Sequence, residues 1–252
     1  MFEESIIYLV IFLYGIVIGS FLNVCIYRIP LGESISKERS HCMTCGYQLR
    51  WYDLVPLFSW LALRGKCRKC KTPISAQYPI IEAVNGVLYI LIFAVNGMNM
   101  VSILYCLMAS ALLALSVIDF RTYEIPFGFN VFIAVLGLIR IGLTLDNWHE
   151  FVIGFFAVSV LLEIILLVSG GRAIGGGDVK LMAAAGLLLG WKLIILAFFI
   201  GCILGSVIHI IRMKVSQAEH VLAMGPYLSA GILIAALLGN QFIDWYFGFL
   251  AY

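Results

Sequence analysis

The sequence predicts an all-α polytopic integral membrane protein of about eight transmembrane helices, with a small cytoplasmic domain between helices one and two. Three observations carry this. The chain is 63% hydrophobic, with a mean hydropathy of +1.04. Only 12% of its residues are charged, about half the roughly 25% of a soluble domain. Its lysines and arginines gather on alternate loops, the bias expected of a multi-pass chain. The composition therefore implies the lipid bilayer as a partner. A net charge of +2 is too small to argue for nucleic acid.

A helix needs roughly 20 apolar residues to cross hydrocarbon. Residues 5–27 contain no charge and form span one. This stretch is too long for a cleavable signal and follows acidic residues, Glu3 and Glu4, rather than basic ones. Residues 28–78 are polar and basic. Residues 83–118 carry no charge but are broken by "NGMNM" at 96–100, which predicts spans two (79–96) and three (101–118). Residues 125–145 form span four and 151–169 span five. The stretch 179–211 is too long for one helix and is nicked by "GWK" at 190–192. It divides into a short span six (177–190) and span seven (193–211). Residues 225–246 form span eight.

Orientation follows from the basic residues. With 28–78 in the cytoplasm, the loops around 119–125, 170–180 and 212–220 share its side. Together these regions hold 14 of the 16 Lys and Arg residues. Asp119 and Asp178 then lie at the same, cytoplasmic, edge of the membrane.

The 28–78 segment carries "CMTC" at 42–45 and "CRKC" at 67–70. Paired CxxC knuckles with such a spacer read as a tetrahedral zinc site with Cys42, Cys45, Cys67 and Cys70 as ligands. The competing reading, two disulfides, is disfavoured in a reducing cytoplasm. About fifty charge-rich residues bury little core, so a metal would supply the missing stability. Cys25, Cys106 and Cys202 fall in predicted spans and read as small packing residues.

"GGRAIGGGDVK" at 170–180 places Asp178 at the mouth of an apolar run. It lacks the G-x-x-x-x-G-K-[ST] order of a phosphate-binding loop. An aspartate there can cap a helix. Capping is compatible with catalysis, and "SVIDFRTYEIP" puts a second carboxylate, Asp119, at the same membrane edge. Two such aspartates are the ingredients of a dyad in which one activates water and the other, protonated, donates to a carbonyl. Asp178 opens a helix and Asp119 closes one. The helix dipoles therefore predict Asp178 as the base and Asp119 as the acid. Gly175 and Gly177 would let an extended substrate backbone come close.

These stretches resemble the type IV prepilin peptidases, membrane aspartyl proteases that double as N-methyltransferases. The resemblance runs through "GSFLNVCIYRIP" (19–30), "RWYDLVPLFSW" (50–60), "RGKCRKCKTPIS" (64–75), "QYPIIE" (77–82), "GGGDVK" (175–180) and "AMGPYLSAG" (223–231). Departures are Gln77, where arginine is common, Met224, where phenylalanine is usual, and the lack of an acidic or amide residue after Pro126. The resemblance implies an enzyme that cuts the basic leader from type IV prepilins or pseudopilins at the cytoplasmic membrane face. It then methylates the freed amine with S-adenosylmethionine. Asp119 and Asp178 carry over as the catalytic pair and the four cysteines as the tetrad of bifunctional members. The residues that bind the methyl donor do not carry over. The implied division is a first transmembrane helix (1–27), a four-cysteine zinc domain associated with methyl transfer (28–78) and a transmembrane aspartyl peptidase domain (79–252). The implied location is the cytoplasmic membrane of a bacterium.

Gly175, Gly177, Lys180, Glu82 and Arg28 are candidates for substrate contact or positioning. Glu82 lies near the start of span two, where a carboxylate is costly. Arg28 is first a positive-inside anchor. Glu163, in span five, is expected to face a partner helix or be protonated. Glu124 could replace Asp119 in a dyad but has the poorer context. His209 and His220 read as polar face residues. A cleavage-only peptidase or a non-catalytic scaffold of a pilus or secretion machine is the alternative. A transporter would need polar residues repeated through several spans, which the chain lacks.

Overall fold

A computed structural model describes residues 2–37, 39–216 and 222–250. The end of the expected 212–220 loop, with His220, lies outside them. Among the described residues every regular element is helical, and extended pairing is confined to two isolated bridges, His41–Gln48 and Lys66–Pro73. The chain forms two compact units, Met1–Ala94 and Val95–Tyr252.

The first unit is built on α1 (Phe2–Arg28) and α3 (Gln77–Asn96), joined by a segment containing a 3-10 turn at Trp51–Asp53 and a short helix, α2 (Phe58–Ala62). Lipid tails are as apolar as leucine, so helices in a bilayer associate through close backbone contact. Here α1 supplies Gly15 and Gly19. A Cβ on Gly15 would lie 2.7 Å from Cα of Gly86, and one on Gly19 2.7 Å from Cα of Glu82. The Asn85 amide, fully buried, donates to the Gly15 carbonyl at 2.7 Å. The other side of α1 exposes Ile6, Leu9, Val10, Leu13 and Val17, a face suited to lipid as solvent.

The second unit contains α4 (Met100–Thr122), α5 (Phe127–Leu143), α6 (Trp148–Ala157), α7 (Ser159–Ser169), α8 (Gly176–Leu189), α9 (Trp191–Ser216) and α10 (Gly225–Leu250). Asn99 caps α4, its side chain accepting the Ser102 N–H at 3.0 Å. The helix stops at Tyr123, in the left-handed region at φ 56°, whose N–H closes on the Asp119 carbonyl at 2.8 Å. α8 is the most enclosed element, packing against α5, α6, α7, α9 and α10. Two glycine contacts set its distance from neighbours. A Cβ on Gly137 of α5 would meet the Leu187 backbone at 2.9 Å, and Gly186 lies against Gly154 of α6.

Each of the eight apolar stretches is helical, but eight full-length spans are not confirmed. Among the described residues, six stretches are long and apolar enough to cross a membrane: Glu4–Arg28, Gln77–Asn96, Met100–Thr122, Leu145–Ser169, Trp191–Lys214 and Gly225–Tyr246. α5 has 17 residues and α8 has 14. At 1.5 Å per residue these reach about 26 and 21 Å, short of a hydrocarbon core of about 30 Å. The cause is local. Pro126 and Thr144 bound α5, and Gly190, at φ 83°, ends α8 before Trp191 starts the next helix. The expected division near 190–192 therefore falls at Gly190. The fifth stretch is itself interrupted at Val158, between α6 and α7.

Candidate active site and metal centre

Asp119 sits in the last turn of α4 and is buried. Its Oδ2 accepts the backbone N–H of Gly225, the first residue of α10, at 2.9 Å. The first N–H groups of a helix have no partner within it, so this carboxylate satisfies one of them. Gly225 must be glycine for this approach, because a Cβ there would lie 2.6 Å from the same oxygen.

Asp178 is the third residue of α8, and Gly175 is the N-cap. The aspartate therefore caps from the third position, its Oδ2 accepting the Gly175 N–H at 3.3 Å. It is buried, and its Oδ1 has no hydrogen-bond partner among the described residues. The loop before it turns at Gly170 and Gly171, with φ of 60° and 78°. Gly177 fixes the loop against the connection that follows α4, since a Cβ there would lie 3.0 Å from Cβ of Ile125. A Cβ on Gly175 would crowd Asp178 Oδ2 at 3.3 Å.

The two carboxyls lie within electrostatic reach of each other. Both face the N-terminus of a helix, Asp178 that of α8 and Asp119 that of α10. The dipole asymmetry expected from the sequence is therefore cancelled: the α10 N-terminus offsets the α4 C-terminus at Asp119. The base and acid roles are not distinguished by helix ends.

The other polar candidates of the second unit are more exposed. Lys180 is exposed, its Nζ 5.4 Å from the centroid of the Phe127 ring. Glu124 is exposed beyond the end of α4. Glu163 is exposed on α7 instead of packing against a neighbouring helix.

In the first unit the four cysteines converge. All four sulfurs lie within 4.8 Å of one another, with Cys42–Cys70 at 3.8 Å and Cys45–Cys67 at 4.0 Å. A tetrahedron with metal–sulfur bonds of about 2.3 Å has edges of about 3.8 Å, so the cluster can hold a metal ion. The two knuckles repeat one backbone pattern. Cys42 N–H donates to the Tyr47 carbonyl and Cys67 N–H to the Thr72 carbonyl, both at 2.9 Å. Gly46 and Lys71 then take the left-handed conformation, at φ 66° and 62°. Hydrogen bonds from the Thr72 hydroxyl and backbone pull the Cys70 thiol down to about 6. At Cys45 a backbone hydrogen bond with Tyr47 works downward, but burial and the neighbouring sulfurs lift the thiol to about 11. Four adjacent sulfurs cannot all carry charge unless a cation joins them.

An ion pair between an exposed arginine and a buried aspartate braces the cluster. Arg68, inside the second knuckle, donates to Asp53 at 2.7 Å, and the Arg50 N–H donates to the same carboxylate at 3.2 Å. Burial alone would raise the Asp53 pKa, but these donors hold it below the ordinary aspartate range. Glu82 is buried in α3, and its carboxylate accepts the Leu57 N–H at 2.8 Å. Leu57 has a positive φ of 61° with ψ −53°, so Glu82 fixes a strained turn at the start of α2. Arg28 closes α1 by donating to the Ser34 carbonyl at 3.0 Å. Asn23, buried on α1, donates to the Tyr78 carbonyl at 3.2 Å.

Sequence reasoning missed Asn130 and Ser229, both buried with unpartnered polar atoms. An asparagine in the first turn of an apolar helix was the available signal. It also missed Gly225 as a partner of Asp119, although the stretch around it had been singled out.

Two family descriptions match the chain. The bacterial peptidase A24 N-terminal domain covers residues 13–96. The type IV leader peptidase family covers residues 106–210. The chain is 34% identical over 268 residues to a prepilin leader peptidase/N-methyltransferase of Burkholderia pseudomallei (strain 1026b), covering 90% of this chain and 84% of that one. It is 30% identical over 240 residues to a protein of the same name from Bacillus subtilis (strain 168), covering 94% and 96%. A Stutzerimonas stutzeri protein of that name is 30% identical over 270 residues, covering 93% and 92%. No solved structure matches.

Proposed function

This chain belongs to the type IV leader peptidase family, and from that premise we propose that it cleaves the leader of type IV prepilins or pseudopilins and methylates the amine this frees. The observation that carries the reading is the burial of Asp119 and Asp178 within electrostatic reach of each other, each held by the N–H of a glycine at a helix start. Two carboxyls so placed do not readily both ionise, so the pair holds one proton between them.

The ionised aspartate takes a proton from water, and the water oxygen adds to the scissile carbonyl carbon. The protonated aspartate gives its proton to the carbonyl oxygen. Collapse of the tetrahedral intermediate breaks the C–N bond. The departing nitrogen takes a proton from the protonated aspartate while the other carboxylate takes one from an intermediate hydroxyl, leaving the leader as a carboxylic acid, the mature chain with a free amine and the dyad with its single proton. The Gly225 N–H holds Asp119, and the Gly175 N–H holds Asp178, each from a helix N-terminus.

The freed amine is the acceptor for the methyl group that S-adenosylmethionine supplies when bound. Cys42, Cys45, Cys67 and Cys70 would hold zinc in a structural role, fixing the segment 28–78 associated with methyl transfer. The remainder, 79–252, carries the peptidase. Lys and Arg asymmetry supports a cytoplasmic placement of the site in the membrane of a bacterium. A prepilin is a basic leader joined to an apolar helix, so its helix can stay in the bilayer while its leader remains in the cytoplasm.

The test is incubation of the purified protein with a prepilin in detergent, following leader loss and a methyl increment by mass. A folded protein that leaves every prepilin and pseudopilin intact sinks the reading.

A further inference from the structure

Among the described residues, the buried side-chain atoms without a hydrogen-bond partner are both amide atoms of Asn130, Oδ1 of Asp178, Oγ of Ser229 and Nε of Arg140. The first three residues share one end of one helix group. α4 carries Asp119 and α8 carries Asp178. α5 and α10 each pack against both of these helices, and so form two walls around the pair.

Asn130 lies on the buried stripe of α5 with Ile133 and Gly137. This stripe faces α8, because Gly137 meets Leu187. Ile125, just before α5, meets Gly177, just before Asp178. The two helices therefore run side by side in the same direction. In the register set by Gly137 on Leu187, Asn130 stands level with Lys180, two residues or about 3 Å deeper than Asp178. On the other wall, Ser229 follows Gly225 by four residues and shares its face of α10. Gly225 touches Asp119, so Ser229 lies about one turn deeper than Asp119. Asn130 is 3% exposed and Ser229 is 2% exposed. Arg140, ten residues on, belongs to the far end of α5.

Buried polar groups are paired in folded proteins, and an unpaired one is destabilising. Leucine or alanine at these positions would avoid that cost. No described residue pairs with them, which leaves them open to a group that enters the site. On the reading that the substrate is a prepilin, the entering group is identifiable. A peptide bond inside a helix is not open to attack, so the residues around the scissile bond must unwind. At membrane depth no water is available to pair the N–H and C=O groups that unwinding releases. A carboxamide offers both donors and an acceptor, the complement of a peptide unit, and a hydroxyl offers one donor and an acceptor.

We propose that Asn130 and Ser229 bind the unwound peptide backbone of the substrate just below the aspartates, replacing the helical hydrogen bonds it gives up. Asn130→Leu keeps the branched shape and Ser229→Ala the small size, and both remove the polar atoms. The full-length protein in phospholipid vesicles is assayed on a prepilin. It is also assayed on a series in which an ester replaces each of the first four peptide bonds after the cleavage site. The expected result is a kcat/KM at least about tenfold lower for Asn130→Leu, with an unfolding temperature unchanged or raised. One ester substrate should be cut more slowly than the amide by the wild type but not by the variant. If Asn130→Leu does not fold, the same ester comparison on Ser229→Ala decides.

Wild-type activity in both variants overturns the proposal. So does an ester penalty that is the same in wild type and variants, since ordered water alone would then pair these groups. A folded wild type that cuts no prepilin overturns the functional reading first, and this proposal with it.

Discussion

The backbone N–H of Gly225 donates to the Asp119 carboxylate at 2.9 Å, joining the end of α4 to the start of α10 across 106 residues of chain. Nothing local requires this meeting. It gives the carboxylate a fixed donor and brings a helix N-terminus to a residue that would otherwise face only a helix C-terminus.

Gly225→Ala tests that contact. Alanine suits the first turn of a helix, so folding should survive. Its Cβ, 2.6 Å from Oδ2, would push Asp119 aside. Leader cleavage should fall at least about tenfold, the loss of one transition-state interaction, while thermal unfolding shifts little. Cleavage at the wild-type rate would mean the approach is not needed.

Asp119→Asn and Asp178→Asn should each abolish leader removal and leave the Met1–Ala94 unit folded. If the two chemistries occupy separate sites, either variant should still methylate a peptide with a free mature N-terminus. Substantial leader loss in one variant removes that residue from the dyad. Loss of methylation in both indicates that the sites are coupled.

Metal analysis of protein purified under reducing conditions should find about one zinc per chain, as a single four-sulfur site requires. Cys42→Ser or Cys67→Ser should release it. Limited proteolysis should then cut between residues 41 and 73, where the knuckles pair through His41–Gln48 and Lys66–Pro73. A metal-free protein with that segment still protected would refute the assignment.

Asp53 makes the same segment acid-sensitive. Its pKa is held below the ordinary range in the folded state, so its charge stabilises the fold above the unfolded value of about 3.9. That contribution is lost as the pH falls through the lower, folded value. Asp53→Asn should show increased proteolysis of 41–73 at neutral pH, and acidification should have less further effect on it than on the wild type. An unchanged acid response in the variant would place the sensitive group elsewhere.

Much of this protein is legible in its residues taken in order. Apolar runs mark the helices because only a helix pairs its own backbone in lipid. The break at Gly190 shows because glycine tolerates the conformation that ends a helix. The two CxxC knuckles, and the carboxylates Asp119 and Asp178 beside long apolar runs, stand out against the apolar background.

What the order of residues leaves open is which apolar surface meets protein and which meets lipid. Leucine serves both, so α8 reads as a short span although almost all of it is buried against other helices. Glu163 reads as facing a partner helix or protonated, and it is exposed; Asn130 is buried without a partner among the described residues. The Gly225–Asp119 and Gly177–Ile125 contacts depend on which helices become neighbours. That choice is made by the summed packing of glycine-to-backbone contacts such as Gly137 on Leu187 and Gly186 on Gly154. No window along the chain contains both sides of such a contact, so tertiary structure alone decides it.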